Sequence, residues 1–242
     1  MNDGLVIDDL VTGFGTTFVL GGVSLAAPPR SVVGLIGPNG SGKSTLLKAI
    51  AGVLPLRRGK LTLDGKPLRS QPLAVAFVPQ REQVNWDFPV TAFDVVLMGR
   101  YRRAGWIRRP GRKDRELALA AMATLGLAGM EHRHISEFSG GQQQRIFLAR
   151  AVAQEPRLVL LDEPFTGVDA ENRQVLHRVI ADLAAGGTIV MMATHDLDEV
   201  TTTCSHVAAL RGRLVAFGKT KDTFTAPIIR ATFGGQVAVV PA

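Results

Sequence analysis

Cysteine is nearly missing from this chain of 242 residues: Cys204 stands alone, which excludes an internal disulfide framework and predicts a reducing compartment. Also missing is an apolar run that could cross a bilayer. Hydrophobic residues make up 46% of the sequence, yet charges, glycine or proline interrupt every stretch before the roughly 20 residues a spanning helix needs. The opening MNDGLVIDDL has neither the basic start nor the continuous apolar core of a secretory signal. No tandem repeat or low-complexity tract is present, so globular structure is expected to both ends. Together these absences predict a cytoplasmic protein, with length for one large α/β domain or a core carrying an inserted subdomain.

Acidic residues are the minority: 21 Asp plus Glu against 28 Lys plus Arg leave a net charge of +7. Such a balance favours an anionic partner, whether nucleic acid, a phosphorylated ligand or a lipid surface. The excess concentrates in GRYRRAGWIRRPGRKDR at 99–115, where Arg100, Arg102, Arg103, Arg108, Arg109, Arg112, Lys113 and Arg115 face only Asp114. The default expectation for such a run is a solvated loop and helix start.

Val32 to Ile36 is a short apolar run that reads as a buried strand. A helix opens inside GSGKSTLLKAIAGVL, where Leu46, Leu47, Ile50 and Leu54 repeat at helical spacing. From about Val90 to Ala153 the pattern turns helical, with Gly126 and Gly129 as stops. After Pro156, RLVLLDEP, a helix from about Ala170 to Ala185, TIVMMATHD and the hairpin-like HVAALRGRLVAFG follow, and KDTFTAPIIRATFG contains a short helix. This alternation predicts a mainly parallel sheet with helices on both faces.

GPNGSGKS at 37–44 fits G-x-x-x-x-G-K-[ST] and lies between strand and helix, the context that pattern requires. Small residues let the backbone N–H groups of Asn39, Gly40, Ser41 and Gly42 converge on phosphate oxygens at a helix N-terminus, next to Gly37 and Pro38. Lys43 is expected to reach the β and γ phosphates, Ser44 to offer its hydroxyl to Mg²⁺, and Thr45 to complete the cradle. In LVLLDEP an apolar strand ends in Asp162 and Glu163, whose side chains alternate across a strand and so suit different tasks. Asp162 is the natural Mg²⁺ partner, and Glu163 is placed to orient or deprotonate an attacking water. Alone, such a pair more often caps a helix; beside a phosphate loop the catalytic reading is favoured. A second glycine-rich helix start, FSGGQQQR at 138–145, puts Ser139 at an N-cap and leaves the first-turn amides of Gly140 and Gly141 bare. Simple capping and a second anion site are equally consistent with it. In the second case another copy of the chain would offer this turn to an exposed γ phosphate.

GPNGSGKST, Gln80 in FVPQ, FSGGQQQR, LVLLDEP, Asp169 in TGVD and His195 in ATHD resemble, in order and spacing, the motif set of ABC transporter ATPases over nearly the whole chain. The resemblance implies one ABC ATPase domain over 1–242. Its fold would be a P-loop NTPase, RecA-like core with an N-terminal antiparallel β piece, and a helical subdomain inserted at about 87–153. It implies ATP and Mg²⁺ as cofactors. Phe14 stands where the family usually has a tyrosine stacked on adenine. Gln80 would contact Mg²⁺ and the attacking water, joining Ser44 and Asp162 as metal-site residues. Ser139, Gly140, Gly141 and Gln142 would touch ATP held by the opposite subunit, Asp169 would lie at the dimer interface, and His195 would bond the γ phosphate. Catalysis would thus fall to Glu163, His195, Lys43 and Gln80. Phe138 replaces the commoner leucine before the signature.

REQVNWDFPVTAFDVVLMGRYRRAGWIRRP and DEPFTGVDA look most like the ATPase subunits of manganese, zinc and iron importers. That likeness implies a homodimer formed on ATP binding, a separate transmembrane permease, an extracytoplasmic metal-binding protein as an indirect partner, and a peripheral place on the cytoplasmic membrane face. Trp86, Phe88 and Phe93 would suit permease docking, and each is equally suited to a core. A metal-chelate cargo is the alternative. A nucleic-acid-associated ABC ATPase is a more distant one; no coiled-coil insertion or second cassette accompanies the basic run, and no nucleic acid is expected as partner. His132 and His134 sit two residues apart, off a shared helix face, and read as structural. Cys204 reads as packing.

Overall fold

A computed structural model describes residues 4–81, 88–105 and 109–234. Trp86 and Arg108 lie outside them. The chain opens with β1 (Leu5–Phe14) and β2 (Thr17–Ala27), then β3 (Val32–Ile36), α1 (Lys43–Ile50), β4 (Leu56–Leu63), β5 (Lys66–Pro67) and β6 (Val75–Val78). Three helices follow: α2 (Ala92–Ala104), α3 (Arg112–Thr124) and α4 (Gly140–Ala153). The remainder runs β7 (Leu158–Asp162), α5 (Ala170–Ala185), β8 (Ile189–Ala193), α6 (Leu197–Thr203), β9 (His206–Leu210), β10 (Leu214–Lys219), α7 (Thr220–Thr223) and α8 (Ala226–Phe233).

Among the described residues there are two sheets. The antiparallel one has the order β2-β1-β4-β5, and the larger one β10-β9-β3-β8-β7-β6. In the larger sheet β9, β3, β8, β7 and β6 pair in parallel, and β10 is an antiparallel edge. Every residue of β3, β7 and β8 is buried, as befits a sheet covered on both faces. Strand alternation still divides them between two cores. Val33, Leu35, Leu158, Leu160, Ile189 and Met191 pack with α1 and the antiparallel sheet. Val32, Ile36, Val159, Leu161, Val190 and Met192 pack with the helices on the other side. The fold is therefore the P-loop NTPase arrangement, a mixed sheet layered between helices and an antiparallel N-terminal sheet.

α2, α3 and α4, which separate β6 from β7 in the chain, pack against one another. Thr91 and Asp94 form a reciprocal capping box at the start of α2, which contributes about 1 kcal/mol. One member of the arginine run departs from the solvated setting expected of it, while Arg102, Arg103 and Arg109 are exposed. Arg100 is only 5% exposed; it donates to Asp114 at 2.9 Å, Glu155 at 2.8 Å and the Ala153 carbonyl at 2.8 Å. One guanidinium thus joins α2, the first turn of α3 and the end of α4. Arg112, Lys113 and Arg115 do project to solvent. The C-terminal stretch contains the short helix expected there, α8, preceded by the one-turn α7; the TAP step at Thr225–Pro227 starts α8 with proline near its first position. Phe93 packs partly buried against the core beneath the Arg115 guanidinium, whereas Phe88 is 58% exposed. Cys204 is buried with its thiol pushed up to about 12 by burial. His134 pairs with Thr91 in an antiparallel bridge. No helix among the described residues is long and apolar enough to cross a membrane.

Candidate active site at the sheet edge

Because β3, β8, β7 and β6 are parallel neighbours, all their C-terminal ends open onto one edge. That edge is where a doubly wound sheet binds its ligand. From β3 comes the loop 37–42 and α1; from β8, Thr194 and His195; from β7, Asp162 and Glu163; from β6, Gln80.

At Gly37, φ is +151° and an added Cβ would stand 2.2 Å from the Leu210 carbonyl oxygen, so only glycine lets the loop leave β3 here. Gly40 follows in the same loop. It is exposed at the outer side of the loop, and no atom lies within 4 Å of where its Cβ would stand. With φ at +76°, the left-handed backbone favours glycine at position 40. The Ser41 N–H donates to the Pro38 carbonyl at 3.1 Å, closing the loop on itself.

Lys43 is buried, and its Nζ donates to the carbonyls of Gly37 at 2.7 Å and Pro38 at 3.2 Å. An ammonium has three donors, and these two carbonyls take two of them. Burial lowers the Lys43 pKa, with the charges of Glu163 and Asp162 opposing that shift. Ser44 Oγ donates to Asp162 Oδ1 at 2.7 Å. Asp162 Oδ2 is buried and has no hydrogen-bond partner among the described residues. Burial raises the Asp162 pKa, against the Ser44 hydrogen bond and the Lys48 charge. An orphan carboxylate oxygen beside a hydroxyl is a donor set that fits a hard divalent cation such as Mg²⁺. The Ser41 hydroxyl is likewise buried and unpartnered.

Strand alternation stops one residue earlier than the sequence suggests. Glu163 follows the last residue of β7 with φ at +51°, a left-handed conformation unusual for glutamate. Its N–H donates to the Ala193 carbonyl at 3.1 Å, tying the β7 exit to the end of β8. Three groups meet its Oε2: Gln80 Nε2 at 3.3 Å, Thr166 Oγ1 at 3.1 Å and His195 Nδ1 at 3.5 Å. The His195 side chain is 58% exposed, open to an incoming ligand. Gln80, Glu163 and His195 are brought together as the motif order implies. Thr166 is the addition that sequence reasoning missed; its position three residues after Glu163 in EPFT was the available signal.

Ser139, Gly140, Gly141 and Gln142 sit elsewhere. Ser139 caps α4 reciprocally with Gln142, and no hydrogen bond among the described residues joins this turn to 37–45. The capping role left open by the sequence is thus present. Gly141 abuts the next helix: a Cβ there would stand 2.8 Å from Asn172 Nδ2. Asn172 is buried and donates both its backbone and side-chain N–H to Asp169, the N-cap of α5. Those bonds hold the Asp169 carboxyl below the usual carboxylate range. Phe14 is 55% exposed at the end of β1. Nearby on β2, Phe18 lies with the Arg57 guanidinium 4.8 Å over its ring, a pairing the sequence did not announce.

A family model described as ABC transporter matches residues 20–166. The chain belongs to the ABC transporter family. It is an ATP-binding protein and an ATPase of that family. The zinc transport system ATP-binding protein TroB of Treponema pallidum is 43% identical over 232 residues, spanning 96% of this chain and 87% of that one. The manganese transport system ATP-binding protein MntB of Bacillus subtilis is 41% identical, spanning 96% and 92%. Among solved structures, a proposed metal-chelate type ABC transporter in an inward-facing conformation superposes with a TM-score of 0.84 at 27% identity, covering 96% of this chain and 89% of that one.

Proposed function

We propose that this ATPase powers import of a divalent metal ion, manganese, zinc or iron, through a separate membrane permease at whose cytoplasmic face it sits. An extracytoplasmic metal-binding protein would deliver the cargo. Two copies close on ATP. In each, Gly37 to Thr45 cradle the triphosphate, Lys43 holds the β and γ phosphates, and Phe14 stacks on adenine through its ring face. Ser44, Asp162 and Gln80 would hold Mg²⁺, which when bound neutralises charge on the phosphates. Glu163 orients and deprotonates the attacking water, and His195 bonds the γ phosphate. The facing copy contributes Ser139 to Gln142 and Asp169. Residues of about 87–153 act as the inserted helical subdomain. On α2, exposed Met98 and Tyr101, with Phe88 before the helix, form its docking face for the permease; Trp86 lies outside the described residues and Phe93 is turned inward.

The observation that carries this reading is the convergence of Gln80, Thr166 and His195 on one oxygen of Glu163. Glu163→Gln is expected to lower kcat by about 10²–10³-fold. ATP affinity should persist, and an ATP-dependent dimer should accumulate on a sizing column. Retained turnover without a dimer defeats the assignment. The likeness to a metal-chelate type transporter favours chelate cargo as the second reading. Uptake of radiolabelled Mn²⁺, Zn²⁺ and Fe²⁺, free and chelated, by vesicles holding the permease complex separates the two.

A further inference from the structure

His177 on α5 belongs to none of the motifs, yet it is held on three sides. Its ring stacks on Phe165 with centroids 4.5 Å apart and planes at 23°. Its Nε2 lies 3.0 Å from Glu199 Oε2, and its Nδ1 lies 2.8 Å from Thr203 Oγ1. The threonine contact is a hydrogen bond, whereas the Glu199 contact is a close approach that leaves Oε2 without a hydrogen-bond partner among the described residues. Glu199 is 4% exposed and receives Arg173 Nη1 at 2.8 Å on its other oxygen. A carboxylate buried so deeply persists only when paired, so this cluster is a fixed point between α5 and α6.

Both ends of the cluster reach the reaction edge. Phe165 is buried in the turn between Glu163 and Thr166, whose hydroxyl donates to Glu163. On the other side, Arg173 also faces Asp196 at 3.6 Å. Asp196 caps α6 through the N–H groups of Asp198 and Glu199 and directly follows His195. We propose that His177 is a positioning residue for ATP hydrolysis: stacked on Phe165 and seated against Glu199, it sets the turn carrying Glu163 against the loop carrying His195. The inference rests on the role given to Glu163 above.

The test is steady-state hydrolysis and ATP affinity of the full chain for H177A, F165A, their double variant, H177F and E163Q. H177A is expected to lower kcat roughly 10-fold with KM within about twofold of wild type, as loss of orientation without loss of binding requires. The double variant should be no slower than F165A, since both changes remove one contact. H177F keeps the stack and should stay within about threefold of wild type. Where H177A does not fold, H177Q, which keeps a polar side chain beside Glu199 but loses the ring, replaces it in the cycle. Unchanged kcat, additive losses, or a KM that rises with the loss of kcat would overturn the proposal. Wild-type turnover in E163Q overturns the base assignment, whereas inactive E163Q with an additive cycle overturns the role of His177 alone.

Discussion

Asp162 at the end of β7 and Arg100 on α2 are 0% and 5% exposed, but their surroundings treat the buried charge differently. Asp162 has one oxygen on Ser44 and the other without a partner, beside a buried lysine and a glutamate in a left-handed conformation. Arg100 meets two carboxylates and a carbonyl, in a layer whose first helix carries a full capping box. Asp162 thus keeps a buried carboxylate oxygen unpaired among the described residues, while the buried Arg100 is held by acceptors from two other helices and Glu155. Unpaired buried charge and backbone strain cost stability and persist where chemistry requires them.

The sharpest way to break this contrast is Asp162→Asn. Hydrolysis should fall by about 10²–10³-fold. Burial lifts the folded pKa of Asp162 above its unfolded value, so the ionised form opposes folding, and stability is lost as pH rises through the folded pKa. The amide removes that charge, and the nucleotide-free protein should melt about 2–4 °C higher near neutral pH; a lower melting temperature would put Asp162 with Arg100. Arg100→Met should do the reverse, leaving hydrolysis within about threefold while costing about 3 kcal/mol. Calorimetry should register that as roughly 6–12 °C. The estimate is at the low end for a broken buried pair because the Glu155 side chain is 51% exposed.

A smaller effect is expected at the seam between the regions. Gly141→Ala pushes a methyl into Asn172, which should cost about 1–2 kcal/mol in denaturant titration and weaken ATP-dependent dimerisation. The smallest is a pH effect. The Arg100 hydrogen bond, then the Gly111 N–H, hold the Asp114 pKa down. Its contribution is present above the unfolded value of 3.8 and fades as pH falls through the folded one. The melting-temperature gap between wild type and Arg100→Met should therefore narrow on acidification from about pH 5 to about pH 3.

Much of this was legible in the sequence. Val32 to Ile36 reads as a buried strand because burial on both faces demands an unbroken apolar run. The helix 170–185 is bounded by Asp169 and Gly186, a capping side chain and a breaker, and its span is the observed one. Helix α6 passed unnoticed: LDEVTTT has little intrinsic helical preference, and it is the Asp196 cap and the buried Glu199 that hold it. Arg100 could not be told from its exposed neighbours in a run of like charges, since composition carries no information on which one meets Asp114 and Glu155.

By itself the sequence determined the family, the order of the motifs and the local geometry of the phosphate loop, because short-range spacing and glycine sterics act within a few residues. Only the tertiary structure decided what surrounds Glu163 and Arg100, and that His177 stands behind the hydrolytic turn. Gln80 and Glu163 are 83 residues apart in the chain, and Arg100 and Glu155 are 55 apart. Such pairs meet only once parallel strands have been ordered and helices layered over them, a consequence of burying apolar faces throughout the domain rather than of any one segment.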